Sequence, residues 1–290
     1  MARVMTETRQ TVWRPPVMSL LRHLLLMVIL IALLYPLIWM IAGAFKDTPE
    51  ILTQTNLIPE SPDIENFVSG WSGLPNVTFG TFLLNSGIVA GLAVVGNLIS
   101  CSMAAYAFAR LEFKGRAILF AVMLATIMLP YHVKAVPEYI MFLNVGWVNT
   151  LLPLIVPKFV AVDAFFIYLM IQFIRGLPRD LDDAARVDGA GNFHIFRFVV
   201  LPLMRPALIT TAIFTFIWTY EDFFNQLIYL TSPTKYTVPL GLNLFLDSSA
   251  ASAWGPLFAM GVVSILPVVI IFVIAQRYIV EGLGSGSLKG

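Results

Sequence analysis

The chain has 290 residues, 58% of them hydrophobic and only 12% charged, with a formal net charge of +1. Soluble domains carry roughly 25% charged residues, so this composition excludes an ordinary soluble domain and points to an all-α protein embedded in a membrane. The near-neutral balance gives no basic field for nucleic acid, and a single cysteine, Cys101, excludes an intramolecular disulfide.

Residues 1–23 form a polar, basic N-terminal segment with Arg3, Arg9, Arg14 and Arg22. A transmembrane helix needs about 20 apolar residues. The first such run is 24–45, too long for a signal-peptide core and with no small-residue cleavage site after it, so a retained span is expected. Pro36 should kink it. The longest loop, 46–80, carries Pro49, Pro59, Pro62 and Pro75, which argue against long helices there. A second span, 82–109, is rich in Gly87, Gly91, Gly96 and alanines, residues that let helix backbones approach closely in lipid. The third, 117–143, should break near Pro130 and Pro137, and breaks at membrane depth are tolerated where protein or a cavity covers them. His132 falls in that break and has no second ligand at metal-binding spacing. The fourth span, 151–174, holds Lys158 and Asp163; the fifth, 203–230, holds Glu221 and Asp222; the sixth runs 254–275. Six spans within a single 24–280 domain, followed by a short 281–290 tail, place both termini on one side. Lysine and arginine decide which: fourteen lie on the side of the termini and four on the other. Both termini are therefore expected in the cytoplasm.

The longest polar interruption in the second half is 175–202, on the same side as the termini. Asp180, Asp182 and Asp183 favour the positive end of a short helix, Asp182 and Arg186 are spaced to pair on one face, and Gly189 is a left-handed stop. A second short helix from Asn192 would place Phe193, Phe196 and Val200 on one side. By periodicity alone this elbow reads as an amphipathic connector on the membrane surface.

Asp183-Ala184-Ala185, then Asp188-Gly189-Ala190, Phe196 and Leu201-Pro202 resembles the EAA loop of binding-protein-dependent ABC importer permeases, with matching spacing throughout and aspartate in place of the usual first glutamate. Phe45-Lys46, Asn66-Phe67 and the ending from Gln276-Arg277-Tyr278 resemble maltose-type carbohydrate permeases of the inner membrane. The stretch from Trp218 is similar to a fifth-span segment of that family that reads tryptophan, asparagine, acidic residue, phenylalanine, with Tyr220 and Glu221 in its first two places, and Asp163 stands where relatives carry asparagine.

The resemblance implies a type I importer permease fold, six transmembrane helices with a cytoplasmic coupling helix, in the cytoplasmic membrane of a prokaryote. It implies a second homologous permease subunit, two cytoplasmic ATPases that hold ATP and magnesium, and an external solute-binding protein. This chain would bind no cofactor itself. Asp183, Ala184, Ala185, Asp188, Gly189, Ala190 and Phe196 would couple to the ATPase. Asp163, Tyr220, Glu221, Asp222 and Asn225 would line the path of a sugar, a polyol or a glycerol phosphate. The chain lacks the G-x-x-x-x-G-K-[ST] loop and the H-E-x-x-H and G-x-S-x-G motifs, so neither ATP hydrolysis nor hydrolase chemistry is expected of it. Other readings are a proton-coupled secondary carrier using Asp163 and Asp222, although no internal repeat supports it, and an intramembrane aspartyl hydrolase built on the same pair.

Overall fold

A computed structural model of the protein describes residues 16–72, 76–246 and 253–286, and every described regular element is a helix. Arg3, Arg9, Arg14, Pro75, Lys289 and Gly290 lie outside the described residues.

Helix α1, Pro16–Gly43, continues through Pro36. Two short helices follow in the 46–80 loop, α2 (Thr48–Thr53) and α3 (Glu65–Ser72), as its prolines suggest. The long α4, Phe79–Arg110, leads to α5 (Arg116–Met128) and α6 (Tyr131–Asn144). The break between these two falls at Leu129–Pro130, whereas Pro137 sits inside α6. The fourth apolar run is itself broken: a single turn α7 (Leu152–Ile155) and a 3-10 segment, Val156–Val160, end at Ala161, whose φ of 58° is left-handed, before α8 (Ala164–Arg175).

The elbow comprises α9 (Asp180–Val187) and α10 (Asn192–Ile195), the latter passing through a π turn, Phe196–Val200, into α11 (Leu201–Leu203). Helix α12, Arg205–Tyr220, stops ten residues short of the expected end of the fifth span. The remainder forms α13 (Phe224–Tyr229), and α14 (Val238–Asn243) and α15 (Trp254–Gly286) complete the chain. Four stretches are long and apolar enough to cross a membrane: Met18–Gly43, Phe79–Arg110, Leu152–Arg175 and Trp254–Gln276. Two bent pairs, α5 with α6 and Asn192–Leu203 with α12, bring the candidates to six.

Helix α4 is the axis of the bundle and packs against α12, α8 and the 3-10 segment. Its small residues explain why. Ala90, Ala93, Ala105 and Ala109 are buried. A Cβ added at Gly96 would stand 2.8 Å from the Phe159 ring and 3.0 Å from the Lys158 carbonyl carbon, so only glycine lets the 3-10 segment sit this close. Gly87 and Gly91, by contrast, face open space. The N-terminal part of α4 is fastened to the segment between α13 and α14: Asn85 Nδ2 donates to the carbonyls of Thr234 and Tyr236, and the Val238 amide donates to Ser86 Oγ. The two residue pairs singled out at the start and middle of the 46–80 loop also meet. Asn66 Nδ2 donates to the Lys46 carbonyl at 2.8 Å, and the rings of Phe45 and Phe67 lie 5.3 Å apart. Lys46 is buried, paired with Glu50 and bonded to Asn56. Helix α1 leans chiefly on α15 and is otherwise exposed.

Candidate functional site

The elbow is built as its sequence demands. Three aspartates occupy the first turn of α9 and Arg186 its last, which complements the helix dipole. The helix ends in a Schellman motif: the Gly189 amide donates to the Arg186 carbonyl at 3.0 Å, the Ala190 amide to the Ala185 carbonyl at 2.9 Å, and Gly189 has φ 83°. Asp183, Ala184, Asp188 and Gly189 are exposed, Ala185 and Ala190 half-buried. Val187 is 88% exposed, a large apolar side chain held out between them that sequence reasoning passed over.

Phe196 differs from that group. It is buried, its ring 5.2 Å from that of Tyr106, in a core cluster with Ile174, Ile195 and Val200. Phe193 is exposed rather than sharing the Phe196 face, and Ile195 takes its place inside. The expected Asp182–Arg186 pair does not form. Arg186 instead bonds Asp183 at 3.1 Å. Asp182 is 4% exposed, the one buried residue of α9, and its Oδ2 lies 3.1 Å from Arg110 Nε, a charge pair rather than an aligned hydrogen bond. Arg110 Nη2 donates to the Leu177 carbonyl at 2.8 Å.

At the other end of the bundle core lies an open cavity of about 780 Å³. Breaks in three helical runs frame it: α6 supplies Lys134 and Glu138, the 3-10 segment and its exit supply Lys158 and Asp163, and the end of α12 with α13 supplies Trp218, Glu221, Asp222 and Asn225. A smaller recess of about 190 Å³ shares Lys134, Lys158, Asp163 and Trp218. Broken helices are what bring such groups together, since an intact apolar helix offers no polar backbone or hinge at that depth.

Each lysine of the cavity is paired with a carboxylate, while Glu221 and Asp222 add two further acids. Asp163 Oδ2 accepts from Lys158 Nζ at 2.8 Å and from Asn97 Nδ2 at 2.6 Å. Asn97, wholly buried on α4, also donates to Thr215 Oγ1 on α12, and Ser100 Oγ donates to the Lys158 carbonyl at 2.7 Å. Asp163 thus ties α4, the 3-10 segment and the start of α8 into one polar knot. Lys134 approaches Glu138 to 3.7 Å. Asp222 accepts from both the amide and the side chain of Asn225, at 3.1 and 2.6 Å, which caps the first turn of α13. Glu221 is exposed to the cavity. Gln226, buried behind it, accepts a hydrogen bond from the Thr237 hydroxyl. Of the five residues expected along a path, Asp163, Glu221, Asp222 and Asn225 line this cavity. Tyr220 turns away, its buried hydroxyl donating to the Ser264 carbonyl on α15. Lys158 was visible in the sequence as a charge in a span. Asn97 was not, because nothing local distinguishes it from other small polar residues of α4.

Residues 96–284 match the family model described as binding-protein-dependent transport system inner membrane component. The chain is 36% identical over 277 residues to the trehalose/maltose transport system permease protein MalG of Thermococcus litoralis, covering 94% of this chain and 99% of that protein. It is 35% identical over 261 residues to the probable ABC transporter permease protein YurM of Bacillus subtilis, covering 90% and 85%. Among solved structures, its fold is similar to a chain of a bacterial ABC transporter involved in the import of the acidic polysaccharide alginate. The TM-score is 0.79 at 22% identity, over 91% of this chain and 96% of that one.

Proposed function

The chain belongs to the family of inner membrane components of binding-protein-dependent transport systems, a multi-pass, non-catalytic permease subunit of an ABC importer, and from that premise we propose that it passes a carbohydrate through the cavity of broken helices and is driven through its elbow. In this reading the elbow faces the cytoplasm and α9 docks in a cleft of a separate ATPase, with Asp183, Ala184, Ala185, Asp188 and Gly189 at the contact. Ala190 and Phe196 serve behind it, Phe196 holding the elbow to the bundle. Two such ATPases carry ATP and magnesium. A second, homologous permease subunit completes the pathway, an external binding protein delivers the solute, and lipid surrounds the rest.

The observation that carries the reading is the exposed α9. Its only buried residue is Asp182, and an exposed valine and two small residues lie beside unburied carboxylates, a surface with the makings of an interface. For the solute, the cavity offers two ion pairs, further carboxylates, hydrogen-bonding groups and the indole of Trp218. Such a lining suits the hydroxyls and apolar faces of a sugar. The names of the relatives, trehalose/maltose and alginate, support the same class. A proton-coupled carrier built on Asp163 and Asp222 would need both carboxylates free, but Asp163 is matched by Lys158 and Asp222 bonds the amide and side chain of Asn225.

The test is reconstitution of the permease pair, ATPases and binding protein in proteoliposomes, with maltotriose as probe sugar after its binding to the binding protein is verified. ATP-dependent uptake is expected. Gly189→Asp, which loses the glycine preference at φ 83° and adds charge at the docking face, is expected to leave the protein inserted but to abolish uptake. Uptake driven by a proton gradient without ATP, or normal uptake by that variant, would overturn the assignment.

A further inference from the structure

We infer that Arg110 and Asp182 form the joint through which movement of the elbow reaches the cavity, and that both are positioning residues for ATP coupling; this rests on the coupling role proposed for α9. The two elbow helices are held very differently. The second is seated by apolar burial, with Ile195, Phe196 and Val200 in the core. The first buries one side chain, and that side chain is a carboxylate. Between α8 and α9 lie four residues outside either helix, 176–179, so the covalent link alone leaves the angle of α9 unfixed. Arg110 fixes it by holding the link itself, at the Leu177 carbonyl, and α9, at the Asp182 carboxylate.

The counter-charge sits on α4, and α4 is the element that leads to the cavity. From Arg110 to Asn97 is 13 residues of unbroken helix, about 20 Å at 1.5 Å per residue. Asn97 and Ser100 then hold Asp163 and the Lys158 carbonyl at the cavity wall. One turn above Arg110, Tyr106 packs on Phe196, so the same end of α4 grips both halves of the elbow. A charge pair with side chains only 3% and 5% exposed cannot be broken cheaply, because the partner left behind is an unmatched buried ion. The pair therefore makes α9 and α4 move as one body, and α4 carries that movement to the knot around Asp163.

The experiment uses the complete transporter in proteoliposomes, in a Cys101→Ala background with Met141→Cys as a reporter at the cavity. The readout is the rate at which a charged methanethiosulfonate reagent modifies that cysteine, nucleotide-free against trapped with ATP and vanadate. With the joint intact, trapping is expected to change the rate severalfold. Asp182→Asn should remove the nucleotide dependence while the ATPase still co-purifies and hydrolyses ATP. Asp182→Glu, which keeps the charge, should retain it. A full nucleotide response in Asp182→Asn, or equal loss in Asp182→Glu, would overturn the joint.

If Asp182→Asn does not assemble, spin labels at Asp180→Cys and Met103→Cys on otherwise native α9 and α4 decide. A separation unchanged by nucleotide supports the joint, and a nucleotide-dependent separation overturns it. Failure of the unmodified permease to co-purify with an ATPase would instead defeat the coupling role of α9 itself.

Discussion

Asp163 shows how one side chain can pin a break in a helical run. Three helical segments meet at its carboxylate, which is about a quarter exposed and accepts from an ammonium and an amide. Replacing it with leucine removes the acceptor of both and leaves Lys158 without its counter-charge. We expect Asp163→Leu to destabilise the protein by about 2–3 kcal/mol, read as a lowered unfolding temperature in detergent. Asp163→Asn should lose less, because the amide still accepts from Lys158 and Asn97; equal losses in the two variants would show that the carboxylate does not hold this knot. The sequence flagged Asp163 and Lys158 because charge in an apolar run is costly. Their pairing across the left-handed Ala161 was not legible, since a positive φ at alanine is set by tertiary contacts and not by its own preference.

At the scale of elements, the elbow was legible almost whole. The acidic first turn, the glycine stop and the second short helix stand where the spacing placed them, because capping and helix-dipole preferences act within a few residues. What failed was the pairing of Asp182. Helical spacing offered Arg186, but the carboxylate faces Arg110, 72 positions earlier, and no local rule reports a partner so distant. The end of α12 at Tyr220 was missed for a related reason: hydropathy continues to Leu230 while the backbone turns at the acidic pair Glu221–Asp222.

Helix α9 also makes a quantitative expectation possible. If Val187 is covered by the ATPase, Val187→Glu should weaken its co-purification or binding by about tenfold or more, the loss of one buried valine and the added cost of desolvating a carboxylate. A binding isotherm in nanodiscs checks it, and an unchanged affinity would move the docking surface elsewhere on the elbow.

For the whole molecule, composition marked the apolar runs, of which four are long enough to span and two more are sharply bent pairs, and the charge asymmetry predicts a direction across the membrane. That direction is a prediction to be measured. Single cysteines at Asp180 and at Lys235, both exposed, placed in the Cys101→Ala background, should react oppositely in sealed cells. An impermeant maleimide is expected to label position 235 from outside and position 180 only after permeabilisation. The reverse pattern would invert the topology and remove the elbow from the reach of a cytoplasmic motor.

The lone standing of α1 has a consequence for how the chain is made. Near its C-terminal end it meets α15 where Trp39 lies edge-on to Phe258, 5.1 Å between centroids, and where Gly43 leaves room for that ring. Apart from the donor lost at Pro36, its backbone is hydrogen-bonded within the helix, so it can stand in lipid before α15 has emerged. Helix α1 leaves the ribosome well before α15 and must therefore wait for it before it gains its main neighbour. A chain truncated before Trp254 should insert with α1 drifting free, and a cysteine pair at Trp39 and Phe258 should cross-link only in the completed protein.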